Sequence, residues 1–167
     1  MKTYAILFAG AVGSSKTTIA DYLSQNLDLV VLNNDAIRAE TTASLGKFDE
    51  EVYEKLRNHK LQSLLERNIS FIYDASIDRR WLELRAKLNE NNYDYFVISL
   101  NFSRPLIEKL LLARGSDSST VDEYLLDHDN FLKQFGSEIS LNLNDKDFDS
   151  RFQISLLAVK DWLKYKV

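Results

Sequence analysis

The chain has 167 residues, of which 45% are hydrophobic and 28% charged, with a formal net charge of −4 and no cysteine. This length is that of one compact domain able to bury a core, and the missing thiols exclude disulfides, Cys-ligated zinc, iron–sulfur clusters and a cysteine nucleophile. The negative charge argues against a protein that binds long nucleic acid, and with no membrane-spanning run and no secretion signal we expect a cytoplasmic protein without a membrane partner.

Strand-like runs alternate with helix-like spacing along the chain. Short apolar runs predict strands at residues 3–9, 29–32, 69–73, 95–100 and 139–143. Apolar residues spaced by three or four predict helices at residues 19–27, 52–65, 81–88, 106–112 and 152–163. This alternation predicts an α/β fold with a five-stranded, mostly parallel sheet between helical layers. No linker interrupts the pattern, so we expect residues 1–167 to form a single domain, with a short helical lid within residues 114–135.

The first predicted strand is followed by G-A-V-G-S-S-K-T-T, residues 10–18, and then by a helix. The pattern G-x-x-x-x-G-K-[ST] in this context is typical of a phosphate-binding P-loop, in which backbone N–H groups surround an anion at a helix N-terminus. The expected nucleotide-binding residues are Gly10, Gly13, Ser14, Ser15, Lys16, Thr17 and Thr18. We expect Lys16 to bridge the β- and γ-phosphates and Thr17 to bind Mg²⁺ through its hydroxyl.

One position departs from the pattern, because Ser15 stands where a glycine is expected before the lysine. A serine with helical dihedral angles costs little there, whereas a serine at positive φ strains the loop and weakens phosphate binding. The alternative to a P-loop is a Gly/Ser-rich turn with an accidental Lys-Thr pair. The strand before the loop and the helix after it favour the P-loop.

Two carboxylates follow predicted strands at the edge where open α/β sheets bind ligands. The carboxylate of Asp35 can accept a proton from an attacking hydroxyl. Arg38 follows three positions later, where it can hold an anion of the acceptor or orient Asp35. Asp74 ends a hydrophobic run in the Walker B arrangement, typical of an acid that holds Mg²⁺ or its bound water. The alternatives are a helix N-cap for Asp35 with a surface Arg38, and a turn aspartate without a ligand for Asp74.

Together these motifs resemble those of small P-loop kinases akin to polynucleotide 5′-kinases, zeta toxins and chloramphenicol phosphotransferase. The loop G-A-V-G-S-S-K-T-T is similar to the family's G-x-P-G-S-G-K-S-T, and N-N-D-A-I-R is similar to its N-R-D-D-x-R. Y-D-A-S-I-D-R-R is similar to the family's hydrophobic-D-[AT]-[TN] followed by paired arginines. The resemblance implies a P-loop NTPase fold, Asp35 as general base, Arg38 on the acceptor, and Arg114 in a lid over the transferred phosphate.

We therefore predict an ATP- and Mg²⁺-dependent kinase that transfers the γ-phosphate to a hydroxyl of a small-molecule acceptor. The predicted catalytic residues are Lys16, Asp35 and Arg114, the predicted metal-binding residues are Thr17 and Asp74, and the predicted acceptor-binding residues are Arg38, Arg79 and Arg80. For Arg79 and Arg80 two locations stay open, in the cleft or on the helix surface.

Two other hypotheses stay open. One is a polynucleotide or nucleoside kinase. The other is a nucleotide-binding module without turnover, favoured by Ser15 and by Leu110, which stands where the family often has a second lid arginine. Ser76, where the family has Thr or Asn, is a further departure.

Overall fold

A computed structural model describes residues 2–165. Its elements, in chain order, are β1 Tyr4–Ala9, α1 Lys16–Leu27, β2 Val30–Asn33, α2 Asn34–Leu45, α3 Glu50–Glu66, β3 Phe71–Ser76, α4 Trp81–Glu90, β4 Asp94–Leu100, α5 Arg104–Ala113, α6 Val121–Phe135, β5 Leu141–Leu143 and α7 Arg151–Lys164. Short 3₁₀ turns precede and follow β5. Within the described range, none of the helices has the length and hydropathy needed to cross a lipid bilayer.

The five strands form one parallel sheet in the order β2-β3-β1-β4-β5. The central strand β1 is buried along its whole length. Because successive side chains of a strand point to opposite faces, β1 gives Ile6 and Phe8 to one core and Ala5 and Leu7 to the other. Helices α1, α5 and α7 contribute to the first core, and α3 and α4 to the second. The predicted three-layer α/β sandwich is therefore confirmed.

Helix α2 was not among the predicted elements. It begins where the side chain of Asn33 accepts a hydrogen bond from the Ala36 N–H at 2.7 Å, and it ends at Gly46, which has φ 73°. Its buried residues are only Ile37 and Thr41, so its hydrophobic period is too weak to detect in the sequence. Since the N-cap is Asn33, the interpretation of Asp35 as an N-cap is wrong.

The other differences concern α3 and α6. Helix α3 buries every fourth residue from Tyr53 to Leu65, whereas Val52, which defined the predicted stripe, is 38% exposed. In the predicted lid segment, residues 114–120 are exposed. From Val121 onward the chain forms a helix that packs on the body of the protein. A lid therefore remains a prediction, and residues 114–120 are its continuously exposed part.

Candidate active site

The loop between β1 and α1 is built from small residues because its backbone turns sharply at the end of the central strand. Gly10 has φ 145° and Gly13 has φ 80°, which glycine adopts without strain. A Cβ on Gly13 would lie 2.8 Å from the Leu111 side chain, so glycine also lets α5 pack on the loop. Ser14 is fully buried, and its Oγ donates to the Ala11 carbonyl oxygen at 2.7 Å. The loop thus has the tight conformation that a P-loop requires.

The Lys16 ammonium lies over this loop. Its Nζ donates to the carbonyl oxygens of Gly10 at 3.1 Å and Ala11 at 2.7 Å. Burial lowers the pKa of Lys16 from 10.5 to about 8, while the charges of Asp78 and Asp74 oppose that shift. The amine is therefore held in a fixed position by neutral oxygen atoms, in an environment that favours binding of an anion.

A hydroxyl and a carboxylate meet beside Lys16. The Thr17 Oγ1 donates to Asp74 Oδ1 at 3.3 Å, and the Asn33 side-chain amide donates to the other carboxylate oxygen. Burial raises the pKa of Asp74, and the two hydrogen bonds oppose this shift. Asp74 lies within β3, in register with Asn33 of β2, and does not follow the strand as predicted.

These donors fit a magnesium ion. Mg²⁺ prefers oxygen ligands, keeps several waters and needs only one or two protein groups. Thr17 and Asp74 supply such a pair, and among residues 2–165 no cluster of three or more acidic or histidine side chains offers another metal site.

A cleft of about 440 Å³ opens over the loop and collects most of the predicted site residues. Those lining it are Gly13, Ser14, Ser15, Lys16, Thr17, Asp35, Arg38, Asp74, Arg80 and Arg114. Asp35 stands in the first turn of α2, and Arg114 follows α5 directly. Gly10 and Thr18 belong to the loop and to α1, outside the set of lining residues.

The guanidinium of Arg38 is held by aromatic rings at one side of the cleft. Its carbon lies 4.3 Å from the ring centroid of Phe48 and 4.8 Å from that of Tyr53. Within the described part of the chain, no ion pair includes Arg38 or Asp35. Both groups are therefore available to a ligand.

Arg79 is not brought to this cleft. It forms ion pairs with Glu123 and Asp127 of α6, and its guanidinium lies 5.1 Å from the ring centroid of Tyr124. Arg80, the next residue, does line the cleft. Of the two locations that the sequence left open, Arg80 is in the cleft and Arg79 is on a helix surface, that of α6.

Sequence reasoning missed an arginine pair on the cleft wall. Arg57 is only 4% exposed, and it shares the Glu54 carboxylate with Arg80, each pairing at 2.5 Å. Hydrogen bonds from Arg80 and the nearby charges lower the pKa of Glu54. The shared carboxylate holds both guanidinium groups in place at this wall. The sequence carried a signal for Arg57, because this residue lies four positions from both Tyr53 and Leu61, which share the buried face of α3.

A buried polar chain behind the loop was also missed. Asp78 Oδ2 accepts a hydrogen bond from the Gly10 N–H at 3.2 Å and lies 3.2 Å from His128 Nδ1. The other ring nitrogen of His128 lies 3.3 Å from the Ser99 hydroxyl. Ser99 is fully buried and His128 is only 2% exposed, so this hydrogen-bonded chain runs into the core. The hydrogen bonds of Asp78 and His128 connect α6 to the first glycine of the loop.

The sequence matches no protein-family model and no curated protein. The structure is similar to that of a candidate kinase from Chloroflexus aurantiacus, with a TM-score of 0.71 and 16% identity over 99% of this chain and 98% of that one. A sugar kinase from Janibacter sp. HTCC2649 gives a TM-score of 0.62 and 18% identity over 95% of each chain. The APS kinase from Mycobacterium tuberculosis, in complex with AMPPNP and APS, gives 0.60 and 16% over 95% of this chain and 98% of that one.

At these identities the comparisons establish a shared fold. The chain shares the α/β fold of these kinases, in agreement with the fold that the sequence motifs imply.

The lowered pKa of Lys16 predicts a pH-dependent contribution to stability. The penalty for the buried cation is fully present below about pH 8 and is relieved as the pH rises toward 10.5, because only the unfolded chain then keeps the proton. At about 1.4 kcal/mol per pKa unit, the upper limit of this gain is about 3–4 kcal/mol. Denaturant unfolding of the wild type and of Lys16→Met from pH 7 to 10 measures it. A difference between the two proteins that does not change with pH would contradict the shift.

Proposed function

We propose that the chain is a kinase that transfers the γ-phosphate of ATP to a hydroxyl acceptor. The observation that supports this most is one cleft lined by Lys16 of the loop, the Thr17–Asp74 pair and the unpaired Asp35. Phosphoryl transfer needs positioning and charge neutralisation more than covalent chemistry, and these groups supply both. The P-loop kinase fold adds support, since one protein that shares it was solved with AMPPNP and APS bound.

On the nucleotide side, the loop N–H groups and the α1 N-terminus would bind the phosphates, with Lys16 across the β- and γ-positions. Thr17 and Asp74 would hold Mg²⁺, which neutralises phosphate charge when it is bound. Arg114 lies within electrostatic reach of Lys16, because its charge lowers the pKa of that amine. We assign Arg114 to the transferred phosphate.

On the acceptor side, Asp35 would act as the general base. The acceptor oxygen forms a bond to the γ-phosphorus, the bond from that phosphorus to the bridging oxygen of ADP breaks, and the hydroxyl proton passes to Asp35. Arg38 and Arg80 would bind the rest of the acceptor. An anionic group on the acceptor suits Arg38, whose charge is unpaired within residues 2–165 and whose plane is fixed by Phe48 and Tyr53.

A nucleotide-binding module without turnover is the second candidate, and the backbone of Ser15 favours it. Ser15 has φ 75°, so the loop carries a backbone strain at this position that the glycine of the usual pattern avoids, and strain there weakens phosphate binding.

One experiment separates the two functions. The protein is incubated with Mg²⁺, γ-labelled ATP and panels of sugars, hydroxy acids, nucleosides and 5′-hydroxyl oligonucleotides, after a thermal-shift test of ATP binding. ATP at 100 times its Kd should add about 2.7 kcal/mol of apparent stability. Transfer of label supports the kinase and identifies the acceptor class. A shift without transfer supports the module, and no shift contradicts both.

Lys16→Ala should strongly reduce the rate of phosphoryl transfer. Removal of one preorganised electrostatic contact to a developing charge typically lowers kcat by about 10²–10³, and among residues 2–165 Lys16 is the only lysine lining the cleft. Single-turnover assays of the variant against wild type measure the effect. Turnover at the wild-type rate would mean that the loop does not bind the reacting phosphates.

Asp35→Asn should separate binding from turnover. The amide cannot take the proton, so kcat should fall by about 10²–10⁴ while the ATP-dependent thermal shift is retained. Glu40→Gln is the matched control, since Glu40 lies on the same helix and pairs with Lys60. We expect this control to turn over normally. Normal turnover by Asp35→Asn would move the general base to another residue.

Asp74→Asn should weaken the binding of Mg²⁺ and of the metal-bound nucleotide as well as the rate. Raised Mg²⁺ should then restore part of the activity, because the remaining Thr17 hydroxyl still offers one oxygen ligand. A titration of activity against Mg²⁺ for wild type and variant shows this as a higher half-saturating concentration. An inactive variant that does not respond to Mg²⁺ would contradict the metal role of Asp74.

A further inference from the structure

Ser15 adopts a backbone conformation that a glycine would adopt freely. Its φ is 75° and its ψ is 22°, in the left-handed region, where the Cβ of an L-residue is crowded by the backbone. The residue is 4% exposed and directly precedes Lys16. Something in the structure must therefore stabilise this conformation, or the loop would relax and displace the lysine.

The Ser15 side chain lies in a closed set of hydrogen bonds. The Thr18 Oγ1 donates to the Ser15 carbonyl oxygen at 2.9 Å, so the Ser15 hydroxyl must donate to Thr18 Oγ1 across their 2.5 Å contact. The Ser15 Oγ keeps its lone pairs, and one of them accepts the Nε–H of Arg151 at 3.0 Å. All three hydrogen bonds can therefore form at the same time with one placement of the hydroxyl protons.

Arg151 is itself held rigidly. It is the first residue of α7, and its Nη1 donates to the Phe148 carbonyl oxygen at 2.6 Å. Its guanidinium carbon lies 3.9 Å from the ring centroid of Phe148 and 4.2 Å from that of Phe152. The donor that reaches Ser15 therefore comes from a side chain with little freedom to move away.

We propose that Arg151 is a positioning residue of the P-loop, which acts through Ser15. Its hydrogen bond holds a serine in the conformation that glycine takes unaided, and so keeps Lys16 and Thr18 in place. The proposal rests on the proposed function to the extent that the loop binds a nucleotide. It explains how the chain tolerates the one departure in its loop motif, by a contact from a helix that begins 136 residues later.

The test is a double-mutant cycle of Arg151→Met and Ser15→Gly. Methionine keeps much of the stem that packs on the rings but has no donor, and glycine needs no support at positive φ. Titration calorimetry with AMPPNP and Mg²⁺ gives the Kd of the wild type, both single variants and the double variant. The free energy of unfolding of all four proteins without nucleotide is measured alongside.

We expect Arg151→Met to weaken AMPPNP binding by about 5- to 30-fold in the wild-type background, the factor that corresponds to the usual strain of a left-handed residue. In the Ser15→Gly background the same change should cost less than about threefold. Ser15→Ala tests the contact from the other side without touching α7. It should weaken binding as much as Arg151→Met, and the two changes together should be no worse than either.

Arg85→Met is the matched control. Arg85 also lies against two aromatic rings, Trp81 and Phe135, but it pairs with Glu138 far from the loop in sequence. Arg85→Met should change the free energy of unfolding by the same amount in the wild-type and in the Ser15→Gly background.

Equal weakening by Arg151→Met in both backgrounds would overturn the proposal, since Arg151 would then act on the nucleotide directly or only support α7. No weakening in either background would overturn it as well. If none of the four proteins binds AMPPNP, the proposed function fails, and the unfolding data decide the positioning role by themselves. Coupling between positions 15 and 151 in those data supports the role, and additivity overturns it.

Discussion

The pairing of β1 with β3 is the constraint on which the site depends. The two strands stay in register to Leu7 and Tyr73, and then two extra residues of β3 intervene before Phe8 pairs with Ser76. The sheet is closed again where the Ile77 N–H donates to the Phe8 carbonyl oxygen at 2.9 Å. Bulges of this kind redirect side chains next to functional sites.

Two consequences of this irregularity reach the cleft. Asp74 is the first of the extra residues, and its carboxylate contacts the hydroxyl of Thr17. Asp78 follows shortly after the bulge and accepts the N–H of Gly10. Asp74 thus contacts Thr17, and Asp78 contacts the first glycine of the loop. The charges of both carboxylates raise the pKa of Lys16 and so oppose the effect of burial.

The sequence predicted the layers and the loop because both depend on local pattern. Strand periodicity, helix periodicity and the G-x-x-x-x-x-K-T spacing are each visible within a short stretch of chain. The conformation of Ser15 could not be predicted in this way, since it depends on a contact with Arg151. The different positions of Arg79 and Arg80 likewise follow from carboxylates on α6 and α3, which the sequence does not place in space.

The buried chain from Gly10 through Asp78 to His128 makes the loop and α6 parts of one hydrogen-bonded unit. Loss of one member leaves another buried polar group unpaired, which typically costs about 1–3 kcal/mol. A change of the acid behind the loop therefore favours a compensating change of the histidine on α6. These two positions should be inherited as a pair, because the hydrogen bond between them constrains both.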